Sequence, residues 1–412
     1  MYKISIIIPV YNTARYLQAC IQSLQKQTIG FEHLQVILAD DCSTDNSREL
    51  MQGYEKQCAN IKCIYLEENS GAAGMPRNQA MKLATAPYLM FLDSDDYYYA
   101  NACEDLYQAM EQTKADIVSG YFSTFDDREG MLEENIFAGR ELRKGMYQMP
   151  EDLKEIAKFK NGFFSKIYRR DMIEQEKVLF PEKIIGQDSV FLWEYLFHVK
   201  KVYYLPVPVV GYRLRKQEDR SVSFTYTRKH FMDILESMRL IYELFAAFGQ
   251  EKQVGAVYCD INAYYIGQMM DSDLETDELE EVLKSWEWLF IRAQKKQETD
   301  LFTKIVMYDV GCKRMREAAE TMNLLRELKR YQKEIENARD WWRKQAEGKD
   351  IEIDRLKKAA AWWQDQSEKK DLEIKNLRNT EEELRKWVQE LEAAREYFLQ
   401  ERKNWIHDEN GK

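Results

Sequence analysis

The chain has 412 residues, of which 45% are hydrophobic, and a formal net charge of −11, so it can form two or three domains with packed cores. The acidic balance, without a Lys/Arg-rich run, excludes a protein that binds nucleic acid by neutralising its phosphates. Seven scattered cysteines without a Cys-x-x-Cys pair, and four distant histidines, argue against a zinc site and indicate reduced cysteines.

The first hundred residues alternate between predicted strands and predicted helices. Apolar, β-branched-rich runs typical of buried parallel strands occupy residues 4–10, 34–39, 61–66 and 88–92. Asn12 or Thr13 is expected to cap the first helix, and Pro76 suits the first turn of a later one. This β-α-β-α-β order predicts an α/β fold with a mainly parallel sheet.

An acidic cluster, Asp93-Ser94-Asp95-Asp96, follows the strand predicted at 88–92. Ligands bind beyond the carboxyl ends of parallel strands, and three carboxylates so close together repel one another unless a cation lies between them. Mg²⁺ or Mn²⁺ suits such oxygen ligands and would also bind a diphosphate. The alternative is a solvated acidic turn, since Asp and Ser favour turns.

The predicted strand ends bring four segments to one rim of the sheet. These segments are residues 9–12, 40–41, the region of Arg77, and residues 93–96. A candidate ligand site therefore lies along this rim.

Four motifs in this region occur in a familiar order. Residues 5–12 (SIIIPVYN), 40–45 (DDCSTD), Gly71 followed by Arg77-Asn78, and 91–96 (FLDSDD) together resemble the family 2 glycosyltransferases of the GT-A (Rossmann-like) fold. The resemblance covers roughly the first 220 residues. Cys42 stands where the family usually has Gly, which leaves the conformation of that turn open.

The resemblance implies roles for individual residues. Asp41 would accept the N3 proton of uracil, and Asp95 with Asp93 would hold Mn²⁺ or Mg²⁺. Nucleotide-sugar contacts are implied for Pro9, Tyr11, Asn12, Asp41, Arg77, Asp93, Ser94, Arg220 and Ser221. The metal would neutralise the leaving diphosphate.

The segment Gly186-Gln187-Asp188 resembles the family's Gly-Glu-Asp motif and implies Asp188 as the catalytic base. An inverting transfer needs one carboxylate to take the proton from the attacking hydroxyl. Gln187 in place of Glu removes a neighbouring negative charge, which lowers the pKa of the base relative to an Asp beside a Glu. Asp188 also suits the N-terminus of a helix, and both interpretations can hold together.

The pattern of the residues after about 226 predicts helices. We expect a catalytic domain at 1–225, a helical domain at 226–318 and a coiled coil at 319–412. In the last segment a heptad position d recurs from Leu328 to Trp405, and ten of its twelve residues are apolar. A homo-oligomer is therefore expected, with a docking helix or a lipid-headgroup contact as alternatives.

The sequence suggests one function and two alternatives. The first is a metal-dependent, inverting glycosyltransferase that uses a UDP-sugar and a cell-surface glycan or its lipid-linked precursor as acceptor. The others are a sugar-nucleotide nucleotidyltransferase, which should carry a Gly-rich loop after the first strand, and a non-catalytic coiled-coil scaffold. No apolar run is long enough to span a bilayer, so a cytoplasmic protein is expected, with peripheral membrane contact left open.

Overall fold

The structure, a computed structural model, describes residues 1–126, 135–136, 142–159, 162–215, 225–257, 261–292, 306, 309–310 and 312–347, together with 369–371, 375, 382, 385–387 and 389. The chain forms one unit from Met1 to Leu328 and a second from Lys329 to Lys412. The candidate site lies in the first unit.

A ten-stranded sheet forms the centre of the first unit. Its strands are β1 (Ile4–Val10), β2 (Leu34–Asp40), β3 (Ile61–Tyr65), β4 (Tyr88–Phe91), β5 (Tyr97–Tyr98), β6 (Ile117–Asp126), β7 (Asn135–Ile136), β8 (Gly145–Gln148), β9 (Lys166–Arg169) and β10 (Lys201–Leu214). Their order is β3-β2-β1-β4-β9-β6-β10-β5, with β7 paired to β6 and β8 to β10.

The four strands predicted from apolar runs are confirmed, and they are neighbours. Strands β3, β2, β1 and β4 pair in parallel, with Ile7 opposite both Ile37 and Phe91. β1 and β2 are buried along almost their whole length, as expected for strands covered on both faces. Their carboxyl ends meet at one edge of the sheet, which forms the predicted rim.

The far side of the sheet is mixed. Strand β9 pairs antiparallel with β4 and with β6, whereas β10 pairs parallel with β6. Strand β10 continues to Leu214 beside β6. Its length places the following residue, Arg215, at the rim.

Helices cover the sheet and form the region that follows it. They are α1 (Ala14–Gln25), α2 (Ser47–Gln57), α3 (Gly74–Met81), α4 (Ala102–Thr113), α5 (Leu153–Ile156), α6 (Arg170–Glu176), α7 (Gln187–His198), α8 (Arg228–Ala247), α9 (Glu251–Val257), α10 (Ile261–Met270), α11 (Thr276–Arg292) and α12 (Met315–Glu347). Thr13 is the N-cap residue of α1, one of the two positions expected, but its side chain makes no capping hydrogen bond. Its hydroxyl instead donates to Ser94 Oγ at 2.9 Å.

An aromatic cluster lies beneath the carboxyl end of β4. Phe91 is fully buried, and its ring packs against those of Phe163, Tyr168, Phe180 and Phe191 at centroid distances of 5.2–5.6 Å. These partners come from segments about 70 to 100 residues further along the chain. The cluster therefore fixes the strand that leads into Asp93 against the helix α7.

The helical region packs through its own buried side chains. Trp286 of α11 is fully buried and donates its indole N–H to Phe231 O of α8 at 3.1 Å. The first turns of α12 bury Ala318, Ala319 and Met322. In the part of the chain that the structure describes, none of the helices combines the length and the apolar character needed to cross a bilayer.

We predict that Phe91→Ala destabilises the protein by about 3–5 kcal/mol, since it opens a cavity that four rings border. The midpoint of urea-induced unfolding, followed by tryptophan fluorescence, measures the loss. Phe248→Ala is the matched control, because this ring is 38% exposed. Equal midpoints for the two variants would contradict the central place of Phe91 in the core.

Candidate active site

A cleft of about 500 Å³ opens along the carboxyl ends of β1, β2 and β4. It is lined by most of the residues that the sequence nominated: Pro9, Tyr11, Asn12, Asp41, Arg77, Asp93, Ser94, Asp95 and Asp188. Arg220 and Ser221 lie outside the described residues. The structure thus brings nine of the nominated residues to one place.

The turn after β1 forms one wall of the cleft and is tied to the turn after β2. Asn12 adopts a left-handed conformation (φ 51°), which Asn tolerates better than most residues. Its Oδ1 accepts hydrogen bonds from the backbone amides of Thr44 at 2.7 Å and Asp45 at 3.3 Å. Tyr11, beside it, is 43% exposed, so its ring is available to a planar ligand.

The second turn needs an unusual backbone at Cys42. Its φ is 62°, which explains why glycine is common at this position in the family that the sequence resembles. Cysteine is accommodated here, with Sγ 3.4 Å from Glu67 O. The conformation that the sequence left open is therefore left-handed, with cysteine in place of glycine.

Asp41 is buried at the back of the cleft with its carboxylate held on both sides. Oδ1 accepts from Ser70 N at 2.8 Å, and Oδ2 accepts from Ser70 Oγ at 2.9 Å. Burial raises the pKa of Asp41, and the two bonds from Ser70 oppose that rise. The carboxylate is therefore fixed in position, and its remaining lone pairs can accept a donor from a ligand.

Asp93 pairs with a buried arginine. Arg77 is only 3% exposed, and its NH2 group donates to Asp93 Oδ1 at 2.5 Å while NH1 donates to Gln187 Oε1 at 3.2 Å. The guanidinium lies over the Phe163 ring at 4.6 Å, a cation–π contact. One hydrogen bond to each of two residues, together with the stacking on Phe163, holds the guanidinium rigidly, so Arg77 presents a fixed positive charge to the cleft.

Asp95 pairs with a second arginine, which sequence reasoning did not nominate. Arg215 Nε donates to Asp95 Oδ2 at 2.7 Å, and both side chains are about 15% exposed. Burial raises the pKa of Asp95 and Arg215 lowers it. No sequence motif marks this pair, because it joins residues 120 positions apart.

Asp96 completes the acidic cluster but faces the interior. Its Oδ1 accepts from Arg213 N at 2.8 Å, whereas Oδ2 is buried without a hydrogen-bond partner in the described structure. Burial, together with the charges of Asp95 and Asp93, raises the pKa of Asp96 well above its ordinary value. A neutral carboxyl removes one negative charge from the cluster.

Asp93 and Asp95 have the chemistry of a divalent-cation site. Each carboxylate engages an arginine through one oxygen, which leaves its second oxygen for another ligand. Among the described residues no group of three or more His, Cys, Asp or Glu is arranged around a common metal position. Mg²⁺ or Mn²⁺ needs only one or two carboxylates when a phosphate supplies further oxygens, so the pair fits such an ion.

Asp188 approaches the cleft from the other side, at the N-terminus of α7. Gly186 precedes this helix with φ 82°, and Asp188 is its second residue. Burial raises the pKa of Asp188, whereas the Arg77 charge and a hydrogen bond from the Ser189 amide lower it. A carboxylate with a raised pKa is a stronger base than a solvated aspartate, which suits proton abstraction.

The cleft contains further residues to which the sequence assigned no role in the site. Phe163 and Phe164 line it on one side, and Ile184, Ile185 and Tyr212 line it on another. They are apolar or aromatic side chains from segments whose position depends on the tertiary fold.

Comparison with known proteins finds a family model that matches part of this chain. Residues 5–176 match Glycosyl transferase family 2. The poly(ribitol-phosphate) beta-glucosyltransferase of Bacillus spizizenii is 31% identical over 204 residues, which is 48% of this chain and 30% of that protein. The poly(ribitol-phosphate) beta-N-acetylglucosaminyltransferase TarS of Staphylococcus aureus is 28% identical over 247 residues, which is 58% of this chain and 40% of TarS. The chain thus spans less than half the length of these relatives.

The fold is shared with a solved structure. S. aureus TarS 1–349 in complex with UDP-GlcNAc superposes with a TM-score of 0.57 at 19% sequence identity, covering 79% of this chain and 92% of that one. This likeness confirms the expected GT-A fold.

We predict that Cys42→Val destabilises the protein by about 1–2 kcal/mol, because a β-branched residue is strongly disfavoured at positive φ. Cys58→Val is the matched control, since Cys58 has similar exposure but an extended backbone with φ −125°. Urea unfolding midpoints of both variants measure the difference. If the Cys58 variant lost as much stability as the Cys42 variant, the left-handed turn would not be the cause.

Proposed function

Because residues 5–176 form a glycosyl transferase family 2 domain, we propose that this chain transfers a sugar from a UDP-sugar to a hydroxyl group of a cell-surface glycan or its lipid-linked precursor. The observation that supports this most directly is the single cleft lined by Asp41, Asp93, Asp95 and Arg77 on one side and by Asp188 on the other. Such an arrangement separates donor binding from proton abstraction.

The donor would bind along the strand ends. Tyr11 offers a ring to the uracil, and the fixed carboxylate of Asp41 accepts the uracil N3–H, a contact that cytosine cannot provide in the same form. Arg77 holds nucleotide oxygens, and Asp93 approaches the ribose. Further contacts are assigned to Pro9, Asn12, Ser94, Arg220 and Ser221.

Asp95 with Asp93 would hold Mn²⁺ or Mg²⁺. When bound, such an ion stabilises the negative charge of a leaving diphosphate. Arg77 and Arg215 lie next to the same carboxylates and add positive charge at this end of the cleft. Arg77 and Arg215 would therefore add to the stabilisation of the same negative charge.

Asp188 would act as the general base. Its carboxylate takes the proton from the acceptor hydroxyl while that oxygen forms a bond to the anomeric carbon and the bond to the diphosphate breaks. Attack from the face opposite the diphosphate inverts the anomeric configuration. The printed name of TarS, a beta-N-acetylglucosaminyltransferase, agrees with inversion, because UDP-GlcNAc carries its sugar in α linkage.

The relatives suggest the class of sugar and acceptor. Their names specify glucose or N-acetylglucosamine as the sugar and poly(ribitol phosphate) as the acceptor. We propose a hexosyl or N-acetylhexosaminyl transfer to a surface polymer of this general kind. A cytoplasmic enzyme working at the inner face of the membrane is part of this proposal.

The C-terminal part is proposed to assemble the enzyme. We retain the boundaries 1–225, 226–318 and 319–412 for the catalytic domain, the helical domain and a coiled coil. Helix α12 continues to Glu347, and Ile335, at heptad position d, is only half-buried within its unit. A second copy of the chain would cover such side chains in a homo-oligomer.

We predict that UDP raises the melting temperature of the full chain and that Mn²⁺ increases the effect. A ligand at 100 times its Kd adds about 2.7 kcal/mol of stability. A thermal-shift panel of UDP, CDP, GDP and UDP-sugars, with and without Mn²⁺, measures this. Asp41→Asn should reduce the response to UDP but not the response to CDP. The absence of any nucleotide response would favour the scaffold, and equal responses to UDP and CDP would contradict the role of Asp41.

We predict that the acidic limb of the kcat/KM profile shifts to higher pH in Gln187→Glu. Only the ionised base accepts a proton, so activity falls as the pH falls through the pKa of Asp188. A carboxylate at 187 adds a negative charge near Asp188 and draws on the Arg77 charge, and both changes raise that pKa further. As a control, Asp188→Asn should abolish transfer and keep the thermal response to UDP. An unchanged acidic limb, or full turnover by Asp188→Asn, would place the base elsewhere.

A further inference from the structure

Helix α8 holds the loop that leads to Asp188. Ser237 Oγ donates to Ile185 O at 2.6 Å, and Asp233 Oδ2 accepts from Ile185 N at 3.3 Å. The two side chains lie one helical turn apart on α8, so together they bind the backbone N–H and C=O groups of Ile185. Outside regular secondary structure, such a residue has no backbone ladder to fix it.

The contact is buried and close. Ser237 is fully buried, and Asp233 is also held by Lys229, whose Nζ lies 2.5 Å from Asp233 Oδ2. A Cβ atom at Gly186 would lie 3.0 Å from Ser237 Oγ and 3.2 Å from Ile234 Cδ1. The loop backbone therefore rests directly on α8, and only glycine combines this approach with φ 82°.

These two hydrogen bonds to Ile185 lie next to the start of α7, the helix that carries Asp188. Gly186 caps α7 and Asp188 is its second residue, so Ile185 is separated from Asp188 by only two residues. Any shift of Ile185 would move the first turn of α7 and its carboxylate with it. Catalytic groups lose rate steeply when displaced, by about 100-fold for a misplacement of 1 Å.

We propose that Ser237, together with Asp233, is a positioning residue for the general base Asp188. This inference rests on the proposed function, because it assumes that Asp188 takes the acceptor proton. Helix α8 lies outside residues 5–176, the part that matches the family. The helical region thus contributes to catalysis by orienting the base, although none of its side chains is required to contact the substrate.

The test compares Ser237→Ala with Ser272→Ala in the full chain. Ser272 is also buried, and its hydroxyl also donates to a backbone carbonyl, Met269 O, at 2.6 Å. The control therefore loses a comparable hydrogen bond at a place remote in sequence from the base. We expect Ser237→Ala to lower kcat by about 10- to 100-fold with little change in the KM for the donor. Ser272→Ala should keep kcat within about twofold of the wild type, since no bond to the loop is lost.

A second measurement does not depend on turnover. Hydrogen–deuterium exchange should become faster in the peptide that spans residues 184–189 in Ser237→Ala and not in Ser272→Ala. Unchanged exchange there, or faster exchange with an unchanged kcat, would overturn the positioning role. If the wild type transferred no sugar from any donor, the proposed function would fall, while the exchange experiment would still decide whether Ser237 fixes the loop.

Discussion

The candidate site depends on the neutralisation of three aspartates that stand within four residues. Asp93, Asp95 and Asp96 could not be packed together at the end of a buried strand if all were charged and unpaired. Arg77 and Arg215 neutralise the first two, and burial favours the neutral form of the third. The acidic motif is therefore part of an interlocked set of charges, and loss of either arginine would leave a carboxylate without its partner.

This set of charges links segments that are far apart in sequence. Arg77 begins on α3, rests on the ring of Phe163 and reaches Gln187 at the start of α7. The aromatic cluster around Phe91 contacts two of these segments as well, through Phe163 and through Phe191 of α7. The ion pairs and the aromatic cluster are thus in direct contact, because the buried Arg77 guanidinium packs on the Phe163 ring and that ring packs on Phe91.

Much of the fold and of the donor side of the cleft could be predicted from the sequence. Buried parallel strands produce unbroken apolar runs, and four such runs gave β1 to β4 almost to the residue. The short strands β5, β7, β8 and β9 were missed, because their pairing depends on partners rather than on local pattern. Strand β9, for example, contains Lys166, which is buried and bonded to Gly162 O.

The same limit applies to the site. Residues at strand ends are predictable, since topology alone places Asp41 and Asp93 at one edge of the sheet. The pairing of Arg215 with Asp95, and the hold of Ser237 on Ile185, join distant positions through side chains. No periodicity or motif encodes such contacts, and only the folded chain reveals them.

The side-chain amide of Asn12 limits how the lengths of two turns can change during evolution. It closes a link between two turns that are about thirty residues apart in the chain, so neither turn can alter its length independently. An insertion after β2 would break the bonds to Asn12 and displace the wall that carries Tyr11. Homologous chains should therefore vary in length elsewhere around the cleft, and these two turns should be inherited as one unit.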